Sequence, residues 1–188
     1  LNDIRLKLED ETKDYKNERV LTLMEQKKLD HYLVASLYLL LPPARLDYNN
    51  MEVIYDKKLE DLDKTKNYLL VNKKESKKII LGEYKTSKKY DQRVIEVNLR
   101  LNKVLVLYLK FNKSWIYKNL SSNGLGKLIS KAFTATIDGE KKIVNLNLLR
   151  HIYITEKTKL DQKQIKKNKK LAESMMHSNK MQDGYIRV

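Results

Sequence analysis

The chain has 188 residues, the size of one compact domain with a single core. Thirty-nine Lys+Arg against 24 Asp+Glu give a net charge of +15, the hydrophobic share is 41%, and cysteine is absent. Disulfide frameworks, thiolate metal sites and cysteine nucleophiles are therefore excluded, and no apolar run reaches the roughly 18 to 20 residues of a membrane span.

Residues 1–20 read as a helical or extended lead-in, with Ile4, Leu6 and Leu8 as their apolar residues. Their first eighteen positions hold six acids and four bases, which is unlike a signal peptide and outside any basic footprint. An intracellular protein is expected. Because position 1 is Leu, a piece of a longer chain is expected too, with 1–20 a linker or the end of a preceding DNA-binding domain. Thr22 and Glu25 then form a capping box, and Leu29, Leu33, Leu37 and Leu41 continue it as an apolar stripe at i+4 spacing. Pro42-Pro43 closes that helix by excluding the preceding residues from helical geometry, so 44–48 fall at a helix-to-loop junction.

Segments 51–55, 68–71, 77–84 and 93–97 are rich in Ile, Val, Leu and Tyr and predict strands. The last two flank 85–90, the basic tip of a predicted β-hairpin. Beyond residue 100 the spacing predicts helices only. One carries Leu101, Val104, Leu105, Tyr108 and Phe111, and a second carries Leu125, Leu128, Ile129 and Ala132. A third, capped by Asn145, runs to about Glu156, and a fourth opens at Asp161 and reaches about Met176. There is no internal repeat, so 21–188 is expected to be one domain.

The positive charge is uneven. Residues 72–93 hold seven lysines and an arginine against three acids, and residues 156–170 hold seven lysines against two acids. Such runs favour polyanions, nucleic acid first among them. Lys77, Lys78, Lys88 and Lys89 from the first run are the candidate DNA contacts there. Lys163, Lys166, Lys167, Lys169 and Lys170 are those of the second. The basic runs lack the Trp/Phe/Leu face of a membrane-surface helix.

Several chemistries lack their residues. Gly124-Leu125-Gly126-Lys127 has neither the spacing nor the preceding strand of a phosphate loop. His31, His151 and His177 form no i, i+4 pair, and no acidic cluster suits a two-metal nuclease. Neither a metal nor another cofactor is expected.

Attention falls on Leu148-Leu149-Arg150-His151, Met176-His177-Ser178 and Tyr185. With Arg45 after Pro42-Pro43 and Lys85-Thr86 on the predicted hairpin, this ordered set resembles the tyrosine recombinases, the phage-type integrases and site-specific recombinases. The flavour of PPARLDY, EYKTSKKY, LLRHIYIT and MMHSNKMQ is most similar to integrases of virophages and giant DNA viruses. The resemblance spans 22–188 and implies an α+β, mostly helical fold of the DNA breaking-rejoining kind, with a small antiparallel sheet and a basic β-hairpin. It implies Arg45, Lys85, Arg150, His177 and Tyr185 as catalytic residues, with Lys88 a rival for Lys85 and with Asn147 and His151 as further members. It also implies double-stranded DNA as substrate, a homotetramer on DNA, and the host cytoplasm or nucleus as the location if the chain is viral. Asn147 stands where the family has His or Lys, and Asp47 lies two rather than three positions after Arg45. The interval from His177 to Tyr185 is one residue short of phage-type members, and the helix after the tyrosine is missing.

The residue types suit that chemistry independently. Attack of a phenol on a phosphodiester builds negative charge on two non-bridging oxygens, which a planar, permanently charged guanidinium binds bidentately. The Tyr185 phenol, ordinarily titrating near pH ~10, needs a cationic pocket to ionise. A hairpin ammonium with a lowered pKa suits protonation of the departing 5′ oxygen. Two other classes fit the same composition: a type IB topoisomerase, which relaxes supercoils as a monomer, and a basic DNA-binding module without catalysis.

Overall fold

The structure is a computed structural model that describes residues 1–15, 20–72, 76–84, 87, 91–137, 140–158 and 174–175, with 135–137 and 157–158 described by backbone alone. It is an α+β fold of five helices and a small mixed sheet among these residues. No helix among them is long and apolar enough to cross a membrane.

The central element is helix α2 (Leu23–Leu40), which packs against α1 (Asn2–Thr12), α3 (Leu99–Phe111) and α4 (Ser122–Ala132). Its start is the expected capping box: the Glu25 N–H donates to Thr22 Oγ1 at 3.3 Å and the Thr22 N–H to Glu25 Oε2 at 2.9 Å. Leu29, Leu33 and Leu37 are fully buried, so the i+4 stripe is the core seam. The lead-in is helical and docked. Arg5 is buried in α1 and bonds Glu9 at 2.9 Å, Lys28 of α2 pairs with Glu11 at 3.1 Å, and Tyr15 meets Phe111 edge-on. Asn98 and Ser121 cap α3 and α4 by accepting from Leu101 N–H and Gly124 N–H. In α5 (Leu146–Thr158), Asn145 Oδ1 accepts from Leu148 N–H at 3.0 Å, as its spacing predicted. Of the helix expected over 161–176, only Ser174 and Met175 lie within the described residues.

The sheet runs in the order β4-β3-β2-β1-β5, with β1 (Met51–Tyr55), β2 (Asn67–Val71), β3 (Lys77–Leu81), β4 (Arg93–Glu96) and the two-residue edge β5 (Trp115–Ile116). The expected antiparallel sheet is corrected in one respect: β1 and β2 are parallel, Glu52 facing Tyr68 and Tyr55 facing Val71. Short apolar runs do not encode direction; the connection decides it. Here residues 56–66, with a 3-10 turn at Leu59–Asp61, cross the sheet and bring Leu62 against Tyr68, Leu70 and Ile80. Met51, Val53, Leu69, Ile79, Leu81 and Ile116 belong instead to the main core with the helices. Strands β3 and β4 pair antiparallel around the expected hairpin, Leu81 opposite Arg93.

A second correction concerns the region past residue 100, which is not wholly helical. Strands β6 (Thr134–Ile137) and β7 (Glu140–Ile143) pair antiparallel as a separate ribbon. Its signal, Asp138-Gly139 between two β-prone runs, is a strong hairpin marker. A third correction concerns Lys77. Its side chain is only 4% exposed, and its Nζ donates to Asn102 Oδ1 at 2.8 Å, so it faces the protein interior and not a DNA backbone. The period-2 alternation of β3 sends Lys77 inward and Lys78 outward, where it pairs with Glu96 at 2.8 Å.

Candidate functional site

The loop after α2 is fixed from below. Leu41 ends the helix in extended geometry, and Tyr38 OH, one turn back, donates to the Arg45 carbonyl at 2.7 Å. Tyr48 OH returns to Pro42 O at 3.4 Å, and the two rings meet at 72° with centroids 5.3 Å apart. Both tyrosines are buried, so the backbone carrying Arg45 and Asp47 rests on two packed aromatic rings. Their burial raises both phenol pKa values strongly, which makes them positioning groups rather than nucleophiles.

Onto this loop α5 brings Arg150, whose side chain is only 3% exposed and whose Nη2 donates to Met175 O at 3.5 Å. Both arginines act electrostatically on Asp47. Burial raises the Asp47 carboxyl to about 6, while Arg45 and then Arg150 oppose the rise by favouring its ionised form. Arg150 also faces Tyr38, whose pKa it lowers against burial. Asp47 Oδ2 is buried and accepts no hydrogen bond from the described residues. Two guanidinium groups from distant parts of the chain thus both favour the ionised form of one partly buried carboxylate, and such groups suit a phosphate diester.

The base of the hairpin is tied to the same loop by Asn67. Its amide nitrogen donates to Asp47 O at 3.2 Å and Glu83 O at 3.0 Å. Its oxygen accepts from Gly82 N–H at 2.9 Å and Glu83 N–H at 2.8 Å. Every hydrogen-bonding group of this carboxamide is used, so the residues leading to Lys85 are set relative to Arg45. Tyr84 follows: its OH donates to Asp91 O across the hairpin, and Arg93 counters the rise that burial imposes on its pKa. Asn67, Tyr84 and Arg93 were not singled out from the sequence. The available signal was an asparagine opening a strand, where its β-propensity is poor.

Of the five catalytic candidates, Arg45 and Arg150 lie within the described residues, and both favour the ionised form of Asp47. Lys85, Lys88, Lys89, His177 and Tyr185 lie outside the described residues, as do Lys163, Lys166, Lys167, Lys169 and Lys170. Asn147 is exposed one turn before Arg150, and His151 is half-buried beside it. A polar cleft of about 710 Å³ opens against Asp47 and Tyr84.

Protonation of Asp47 has a predictable signature. Its folded pKa of about 6 exceeds the usual 3.8, so the folded state binds this proton more tightly than the unfolded chain. The stability it contributes is complete below about pH 4 and is lost as pH rises through 6. Urea unfolding of wild type and Asp47→Asn is therefore expected to diverge between about pH 4 and 6, with wild type losing ground to the variant. Parallel pH profiles would refute this account of the carboxylate.

The chain matches no protein-family model, no curated protein and no solved structure with which it was compared. What its own geometry defines is an α+β domain with a polar cleft against Asp47, a carboxylate on which Arg45 and Arg150 both act.

Proposed function

We propose that the chain is the catalytic domain of a tyrosine recombinase, which breaks and rejoins duplex DNA without a metal. The observation that carries this reading is that Arg45 and Arg150, 105 positions apart in the chain, both favour the ionised form of Asp47. The ordered motifs around them, and a net charge of +15, support it. In the reaction, Tyr185 Oη gives its proton to solvent water and attacks phosphorus, and the bond from phosphorus to the 5′ oxygen breaks. Lys85 or Lys88 supplies the proton that the departing 5′ oxygen takes up. The arginine pair stabilises the charge on the non-bridging oxygens, and His177 donates to one of them. The phosphotyrosine conserves the bond energy, so a second 5′ hydroxyl reverses the step and rejoins the strand. Exchange between two duplexes requires a tetramer on DNA. The lysines of 156–170 supply phosphate contacts, so affinity falls steeply with salt.

A nicked suicide duplex tests this reading, because loss of the short 5′ fragment traps the covalent intermediate. Wild type is expected to give an adduct that survives denaturation, with the link mapped by mass spectrometry to the peptide containing Tyr185. Tyr185→Phe is expected to bind the same duplex with unchanged affinity and form no adduct. An adduct retained by that variant, or DNA binding without any adduct in a longer chain, removes the recombinase reading and leaves a basic DNA binder. Relaxation of a supercoiled circle by the monomer would instead favour the topoisomerase chemistry.

A further inference from the structure

Between Val97 and Ile137 the chain carries seven basic residues and no acid, in a stretch that spans α3, β5 and α4. All seven side chains are exposed, and none forms an ion pair with a described residue. Lys78 and Lys142, elsewhere on the surface, pair with Glu96 and Glu140. Strand transfer as described gives these seven cations no contact. Solubility needs no such segregation, because a surface that mixes both signs serves it. A stretch of one sign without counter-charge suits a polyanion.

An aromatic face lies within that charge. Trp115, the chain's single tryptophan, is half-buried on β5, the sheet edge opposite β4, with Lys113 before it and Lys118 after it. Lys118 Nζ stands over the indole, 5.8 Å from its centroid, near the outer limit of a cation–π contact. The backbone is fixed on both sides of the ring. Before it, the Ser114 carbonyl accepts from Val53 N–H at 2.9 Å and the Lys113 carbonyl from Tyr55 OH at 3.1 Å. After it, Tyr117 OH donates to the Asp30 carbonyl at 2.9 Å and Asn119 N–H to Asn50 Oδ1 at 3.1 Å. Tyr117 and Asn119 hold left-handed backbone, with φ of 53° and 58°, which a bulky ring disfavours. Lys118 lies between them, in the turn that returns it to the indole. The cross-strand neighbour of Trp115 is Glu52, so a phosphate chain is drawn to the lysine side of the ring.

The geometry points to a stacking site for single-stranded DNA on this edge: an unpaired base lies on the Trp115 ring, and Lys113 and Lys118 hold the phosphates beside it. A π face flanked by cations accepts any base and requires it to leave the duplex stack. Lys118, displaced from the ring by the base, keeps its charge next to that base's phosphate. The choice of DNA rests on the strand-transfer reading, in which exchange of strands unpairs bases. None of the residues of the site is among those assigned to cleavage.

The test follows tryptophan emission of the whole chain at low salt, with oligothymidylate and an abasic strand of equal length as probes. No other tryptophan is present, so the signal reports on this ring alone. Oligothymidylate is expected to quench the emission, and the abasic strand, which keeps phosphates and lacks bases, to leave it unchanged. Trp115→Ala is expected to weaken oligothymidylate binding about fivefold to hundredfold, the worth of one stacked base. Lys113→Ala combined with Lys118→Ala is expected to reduce the slope of log affinity against log salt by about 1.4, two phosphate contacts on a single strand. No quenching by oligothymidylate, or equal quenching by both strands, overturns the site. An unchanged affinity in Trp115→Ala, or an unchanged slope in the double variant, does the same. The comparison of the two strands uses wild type alone, so it stays decisive if a variant fails to fold. Tighter binding of oligouridylate overturns the choice of DNA. Quenching in a chain that forms no covalent adduct removes strand transfer and keeps this site, and an adduct without quenching does the reverse.

Discussion

Arg150→Lys is expected to slow covalent adduct formation by about a hundredfold to a thousandfold, the cost of removing one oriented donor from a developing oxyanion. The substitution keeps the charge and replaces a planar fork by a single ammonium, which cannot hold two phosphate oxygens at once. Duplex affinity is expected to fall far less, because many lysines share it. Single-turnover trapping on the suicide duplex separates the two quantities, and equal rates for wild type and Arg150→Lys would make the guanidinium merely structural. Arg150→Ala perturbs stability as well. Asp47 would keep Arg45 but lose its second cation, and its carboxyl would climb further above 6. Asp47 is only partly buried, so the loss is expected to stay below the about 3–5 kcal/mol of breaking a fully buried pair. Asp47 escapes part of that by taking up a proton, so the loss in urea unfolding should be larger at pH 8 than at pH 5.

Gly82→Ala is expected to destabilise the domain by about 3 kcal/mol, the upper part of the range for overpacking. A Cβ at this position would lie 2.2 Å from Lys64 O, 2.8 Å from Lys64 C and 2.7 Å from Lys66 O, all backbone atoms that no rotamer change can move. The same glycine donates its N–H to Lys66 O at 3.1 Å and to Asn67 Oδ1 at 2.9 Å, so displacing it disturbs the carboxamide that sets Tyr84 against the Asp47 loop. For a domain of this size the penalty lowers Tm by roughly 6–12 °C. Gly126→Ala is the matched control. Its Cβ would meet only Leu46 methyl groups at 3.9 Å, and the position lies inside α4. There alanine is expected to gain about 0.5–1 kcal/mol from helix propensity. Equal melting temperatures for the two variants would refute the close-approach argument.

Much of the fold was legible because its signals are local. The capping box at Thr22 and Glu25, the leucine stripe that follows, the Pro42-Pro43 stop and the Asn145 cap each depend on residues within a turn or two. The strand segments were legible for the same reason. Lys77 was misread from the sequence because a lysine run carries no information about which members face inward. Only the pairing of β3 with its neighbours decides that. The parallel pairing of β1 with β2 was illegible because it depends on how residues 56–66 pack, which strand composition does not report. The β6–β7 ribbon is a different case: Asp138-Gly139 is a local hairpin marker, which the expectation of helices only beyond residue 100 left out.

The candidate site divides along the same line. Residue identity is chemical and local, so the amino-acid sequence alone determined a charge of +15, a chain without thiols, and arginines at positions 45 and 150 in recognisable surroundings. Proximity depends on loop closure between distant segments, and only the tertiary structure decided it. Helix α5 delivers a buried Arg150 whose charge acts, with that of Arg45, on Asp47 in the loop after α2, which no local pattern announces. Asn67 couples that loop to the hairpin, and the polar cleft exists only where four separate segments meet.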